Sequence, residues 1–229
     1  MKRRKPWIKL PSGWIEENGL RQFRWKQGKG ANNLAALMAL TALAHEADEI
    51  EGTLHATYDE LCLATGLSRA KLSAGLGVLE ERGRIERGGD GRGSFRMSDY
   101  DPAGGWVMFP CSSLYEGDEI RAFHQMHLRN QAELNALKLY FLIASRRDRK
   151  MNWTMLTYDK IEEYSGVARN SIRQALSWLV LQNLIHIDRA KTELNEDGIA
   201  NVYRLANLEP RRHAGTTGRA DATAYTRTV

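Results

Sequence analysis

At 229 residues, 42% of them hydrophobic and 27% charged, the chain is expected to be soluble, with enough apolar side chains for two small cores. No apolar run reaches the roughly 20 residues that a membrane-spanning helix needs, and the basic start MKRRKPWIKL runs into proline and polar residues instead of a signal-peptide core, so the expected location is the cytoplasm. Cys62 and Cys111 are too few for a disulfide framework and form no paired zinc pattern, while a net charge of +5 favours a polyanionic partner, although such an excess also occurs on plain solvated surfaces.

The chain opens on Trp7-Ile8-Lys9-Leu10-Pro11, where apolar residues alternate before a proline, the pattern of a short edge strand. The pattern returns at Trp106-Val107-Met108-Phe109-Pro110, and a structural role is expected for both tryptophans. Leu20-Arg21-x-Phe23 returns as Ile120-Arg121-x-Phe123. Thr57-Tyr58-Asp59, Gly66, Arg69, Leu76, Leu79 and Ile85 return one hundred positions later as Thr157-Tyr158-Asp159, Gly166, Arg169, Leu176, Leu179 and Ile185. These recurrences mark an internal duplication. The basic and aromatic run Arg21, Phe23, Arg24, Trp25, Lys26 and Lys29 suits phosphate tracking, but the matching places keep only Arg121 and Phe123, and a structural role stays open beside it.

Residues 31–44 and 134–144 are apolar nearly all the way round a helix, as expected of buried hubs. A polar connection follows each, and the second, SRRDRK at 145–150, is strongly basic, which nominates Arg146, Arg147 and Lys150 as phosphate contacts. Short strands are expected at 53–56 and 153–156. Next comes a helix whose threonine, Thr57 or Thr157, suits the N-cap and whose aspartate favours the positive helix end. Gly66 and Gly166 then supply the turn into a third helix.

That third helix separates the two units. In the second, Ile172, Leu176, Leu179 and Val180 are expected to face the core. The opposite stripe is Asn170, Arg173, Gln174 and Ser177, with Arg169 beside it. Such side chains can pair with base edges, Arg with guanine and Asn or Gln with adenine, and the stripe lacks the Glu and Lys of an ordinary solvated face. The first unit has Ala70, Ser73, Ala74 and Gly77 at the same places. This small stripe suits close approach of another backbone: a partner subunit in a homodimer, the other unit, or DNA. Its hairpin is the basic one, with Arg82, Arg84, Arg87, Arg92 and Arg96 around the tip GGDGRG, suited to phosphate or minor-groove contact. The second hairpin, 188–205, mixes Arg189 and Lys191 with acidic residues and is the weaker candidate clamp.

Competing chemistry is thin. GGDGRG lacks the Gly-Lys-Ser/Thr of a phosphate loop, His124 and His127 could share a helix face without a convincing third metal ligand, and no nucleophile elbow occurs. The chain reads as a non-enzyme without cofactor or metal.

The expected fold is therefore α+β, mainly α with small β-hairpins: two tandem winged helix-turn-helix units over 1–101 and 102–208, and a disordered tail at 209–229. With Thr-Tyr-Asp, the turn glycines and the leucine spacing repeated in both units, the chain resembles the tandem winged-helix replication initiators of plasmids and phages. The resemblance implies a sequence-specific partner, double-stranded DNA, with one unit dimerising and the other reading repeated origin sites. It also implies that Arg169, Asn170, Arg173 and Gln174 belong to the reading helix and that Arg84, Arg87, Arg92 and Arg96 are wing contacts. A repressor and a protein-bridging factor remain alternatives. No long dimerisation helix or effector module follows the second wing, so no small-molecule effector is expected.

Overall fold

The computed structural model describes residues 4–26, 28–88, 93–101, 105–148, 151–191 and 199–208, with the side chains of Lys191 and Ile199 left out. In the first half, strand β1 (Trp7–Pro11) leads through helix α1 (Gly13–Glu16) and a 3₁₀ turn (Gly19–Gln22) to helix α2 (Gly30–Glu46). Then come β2 (Thr53–His55), α3 (Tyr58–Thr65), α4 (Arg69–Glu81), β3 (Ile85–Arg87) and β4 (Ser94–Met97). The second half runs β5 (Trp106–Pro110), a 3₁₀ turn (Ser112–Leu114), β6 (Tyr115–Glu116), β7 (Glu119–Ile120), α5 (Arg121–His124) and α6 (Gln131–Arg146). It continues with β8 (Thr154–Met155), α7 (Tyr158–Ser165), α8 (Arg169–Leu181), β9 (Ile185–Lys191) and β10 (Ile199–Leu205). The architecture is α+β, with eight α-helices and small antiparallel sheets among the described residues. The expected tail at 209–229 lies outside them.

Local chemistry fixes the helix starts and stops. The Thr57 hydroxyl accepts from the Glu60 amide at 3.2 Å while the Glu60 carboxylate accepts from the Thr57 amide at 2.7 Å, a closed capping box. Thr157 likewise accepts from the Lys160 amide at 3.2 Å, but lysine cannot return the bond. Gly66 and Gly166 end α3 and α7 in the left-handed region, at φ 71° and 66°, where a Cβ would be strained. Each following helix then runs into a three-stranded antiparallel sheet, in the order β2-β4-β3 in one half and β8-β10-β9 in the other.

In place of two small cores the buried side chains form one cluster that runs through both halves. The link lies in α2 and α6. Both are buried around most of their circumference and pack on each other as well as on the helices of their own halves. Trp14 of α1 meets Phe141 of α6 with ring centroids 6.2 Å apart, and His45 of α2 meets Phe109 of β5 at 6.2 Å. Strands β1 and β5 pair antiparallel with Lys9 opposite Met108, and the indoles of Trp7 and Trp106 stack over this ribbon at 6.4 Å, only 5° from parallel.

Exchange between the halves extends to the helical turns. Arg21 donates from Nη1 to the carbonyl of Glu163 at 3.0 Å, and His124 donates from Nε2 to the carbonyl of Leu63 at 3.0 Å. A Cβ on Gly166 would lie 3.3 Å from Arg21 Cγ, and one on Gly66 would lie 3.2 Å from His124 Nδ1. Each half thus covers the α3–α4 or α7–α8 turn of the other.

Candidate nucleic-acid interface

Helix α8 is amphipathic, with Ile172, Ala175, Leu176 and Leu179 buried against α6 and α7. Asn170, Arg173, Gln174 and Ser177 form the exposed face. Among the described residues neither Arg173 nor Gln174 has a hydrogen-bond or ion-pair partner, so both side chains are free to meet a ligand. The face carries hydrogen-bonding groups of both senses and one permanent positive charge.

Two residues of this helix lie elsewhere than their spacing suggests. Val180 is 43% exposed and Leu181 81%, and Ala175 takes the core place expected of Val180. Of positions 179–181 Leu179 is the one that α8 buries, while Val180 and Leu181 turn toward solvent. Arg169 forms an ion pair with Asp159 and lies over the Tyr158 ring, 5.8 Å from its centroid. Arg69 pairs with Asp59 in the same way beside a helix that has no polar stripe, so this pair locks the two helices together in both halves. Arg169, expected at the bases, is still 60% exposed at its side chain and is shared with this tie between α7 and α8.

The hairpin arginines divide in the same manner. Arg84 donates from Nε to the carbonyl of Arg82 at 2.8 Å, pairs with Asp99 at 3.6 Å and is drawn over the Trp14 ring. Arg87 pairs through Nε with Glu80 at 2.8 Å, which raises its pKa further. Arg96 and Arg189 remain exposed. Arg92 and Lys150 lie outside the described residues, as does the Lys191 side chain. The SRRDRK connection departs furthest from expectation. Arg147 is only 9% exposed and donates to the carbonyl of Asp148 at 3.3 Å, while Arg146 is half-buried with its guanidinium 4.3 Å from the Tyr164 ring centroid. Packing takes up both side chains, so neither has the solvated position that the basic run suggests.

In α4, Ala70, Ser73 and Gly77 are exposed and Ala74 is half-buried. The close backbone approach is made by Gly75 instead, where a Cβ would lie 2.8 Å from the carbonyl carbon of Ala35 in α2. His124 and His127 address different groups, the carbonyl of Leu63 and that of Gln125, and no group of three or more candidate metal ligands occurs among the described residues.

One feature of the face is not legible from polar patterning. Val180, Leu181 and Ile187 join Tyr158, Arg173 and Ser177 around an open groove of about 470 Å³ between α8 and the β9–β10 hairpin. Its signal in the sequence is the consecutive apolar run that ends α8, of which Val180 and Leu181 are left exposed.

The chain matches no family model, and no curated protein matches it. No described helix is long and apolar enough to cross a membrane.

Proposed function

We propose that the chain is a sequence-specific, non-enzymatic double-stranded DNA-binding protein built from two tandem, duplicated winged helix-turn-helix units. The observation that carries this reading is the free face of α8, where Asn170, Arg173, Gln174 and Ser177 stand together on a rigid helix backed by buried Ile172, Ala175, Leu176 and Leu179. A helix of this diameter fits the major groove, and Arg with Asn or Gln can make the paired contacts that distinguish guanine and adenine. Arg189 on the adjoining hairpin and Arg96 on the other supply phosphate contacts, and the small stripe Ala70, Ser73, Ala74 and Gly77 is a face for a second copy. The resemblance to plasmid and phage initiators makes origin binding with control of its own transcription the preferred biological role, and a repressor without effector domain the alternative.

The test is selection of bound fragments from a random duplex pool at near-physiological salt, where nonspecific phosphate binding is weakened. Enrichment of a defined motif supports the reading, with direct repeats favouring initiation and a single inverted repeat favouring repression. Absence of enrichment would overturn it. A second reading has its own observation. The exposed Val180, Leu181 and Ile187 beside the polar face favour a protein contact, and would then make the molecule a bridging factor.

A further inference from the structure

Lys138 lies in the middle of α6, among leucines and aromatic residues, and is only 3% exposed. A buried ammonium ordinarily rests against a carboxylate, because the interior solvates an uncompensated cation poorly. The charges that act on Lys138 are those of Arg24, Arg21 and Arg82, all of its own sign. Burial first, and these guanidinium groups next, lower its pKa to about 8, so that it is still mostly protonated at neutral pH.

The arginines are held in place by neutral groups. Arg24 donates from Nε to the carbonyl of Arg21 at 3.1 Å, and Arg21 donates to the carbonyl of Glu163. Arg82 donates from Nη2 to Asn33 Oδ1 at 2.8 Å and lies over the Phe23 ring at 4.1 Å, while Asn33 Nδ2 donates to the Arg24 carbonyl at 2.6 Å. Arg82 Nη1 is buried with no hydrogen-bond partner among the described residues. Carbonyls, a carboxamide and a ring supply the contacts that fix these side chains, and the charge of Glu81 acts on Arg82 without a hydrogen bond to it.

The positions one hundred residues away make the contrast. Where this cluster has Arg21, Arg24, Arg82 and Lys138, those positions hold Arg121, His124, Gln182 and Met38, and Asn33 is matched by Glu133. Glu133 spends its carboxylate on the amides of His127 and Leu128, at 3.0 and 2.9 Å. Joining the halves therefore does not itself require the extra cations.

We infer that Arg21, Arg24, Arg82 and Lys138 form a binding site for a phosphate group at the junction of the two halves. Phosphate oxygens supply the acceptor that Arg82 Nη1 lacks among the described residues and an opposite charge for Lys138, and the guanidinium forks match their geometry. Two sources offer this chemistry: a phosphodiester of a DNA strand passing the α7–α8 turn, to which Arg21 is anchored, or a free phosphorylated small molecule. Only the first rests on the DNA-binding reading.

Thermal unfolding of the full chain in inorganic phosphate, against sodium chloride of equal ionic strength, tests the site in the wild type, in Lys138→Met and in Arg24→Gln. The wild-type midpoint is expected to rise with phosphate and saturate, and both variants to lose that response. Lys138→Met also raises the midpoint in phosphate-free buffer, since a buried cation gives way to an apolar chain of similar length, and the exposed Arg24 can change without loss of fold. The same proteins are then titrated with duplex DNA. Binding weakened about tenfold or more in Arg24→Gln identifies the phosphodiester, and unchanged DNA binding with a lost phosphate response identifies the free compound. Arg173→Ala keeps the phosphate response, so failure of the reading helix is visible separately, and a chain that binds no duplex at all leaves the phosphate result to stand by itself. A wild-type shift equal to that in chloride, or one that persists in both variants, overturns the site.

Discussion

Arg21 in the first half reaches Glu163 in the second, donating to its carbonyl at 3.0 Å, and in doing so lays its Cγ against Gly166 at the α7–α8 turn. The helix that carries the free polar face is thus braced by the half that lacks such a face. Rigid presentation of a reading helix depends on contacts of this kind, because a side chain misplaced by even 1 Å loses its paired bonds.

Gly166→Ala is therefore expected to destabilise the protein by about 1 kcal/mol or more, from the positive φ and from crowding against Arg21 together. Gly77→Ala, where a Cβ meets nothing within 4 Å, is expected to be neutral or stabilising. Urea unfolding of both variants checks this, and equal effects would contradict it.

The shared core predicts a single cooperative transition. Heat capacity and far-UV circular dichroism should give coincident midpoints, with calorimetric and van't Hoff enthalpies equal. Two resolved transitions would mean that the halves unfold separately and that the α2–α6 and β1–β5 contacts contribute little.

His45 makes stability depend on pH. Its Nε2–H donates to the carbonyl of Pro110 at 3.0 Å, its Nδ1 accepts from the Tyr115 hydroxyl at 3.0 Å, and burial lowers its pKa from 6.5 to about 4. The folded value lies below the unfolded one, so on acidification the unfolded chain takes up the proton first. Stability from this group is complete above the unfolded value and is lost as pH falls from there toward about 4. The loss should reach about 2 kcal/mol between roughly pH 7 and pH 5. His45→Gln should flatten that slope, and an unchanged slope would assign it to other groups.

The Tyr140 hydroxyl is buried in the shared core with no hydrogen-bond partner among the described residues. Tyr140→Phe removes its desolvation cost and keeps the ring contacts with Phe109, so it should stabilise by about 1 kcal/mol. A loss of stability would show that the hydroxyl has a partner.

The sequence makes legible whatever is specified locally. Thr57 and Thr157 cap as their type and place require, Gly66 and Gly166 turn the chain, and the spacing of Ile172, Leu176 and Leu179 orients α8. Long-range choices are not written in the same way. An apolar helix such as α2 announces burial without naming the partner that buries it, so the union with α6 could not be read. Arg146 and Arg147 look solvated in the run SRRDRK, yet long stems let them pack inward beside Tyr164 and Asp148. Lys138 is a buried charged residue within an apolar stretch of α6, and its meaning depends on Arg21, Arg24 and Arg82, which lie far away in the sequence.

On the proposed reading Arg173 contacts a base, and the Arg169–Asp159 ion pair ties α7 to α8. The direct measurement is the motif enriched from a random duplex pool by the wild type, by Arg173→Ala and by Arg169→Ala. Loss of preference confined to one base position is predicted for Arg173→Ala, about 1–3 kcal/mol if the contact is bidentate, and an unaltered motif from a less stable protein for Arg169→Ala. An unaltered motif with Arg173→Ala would contradict the account.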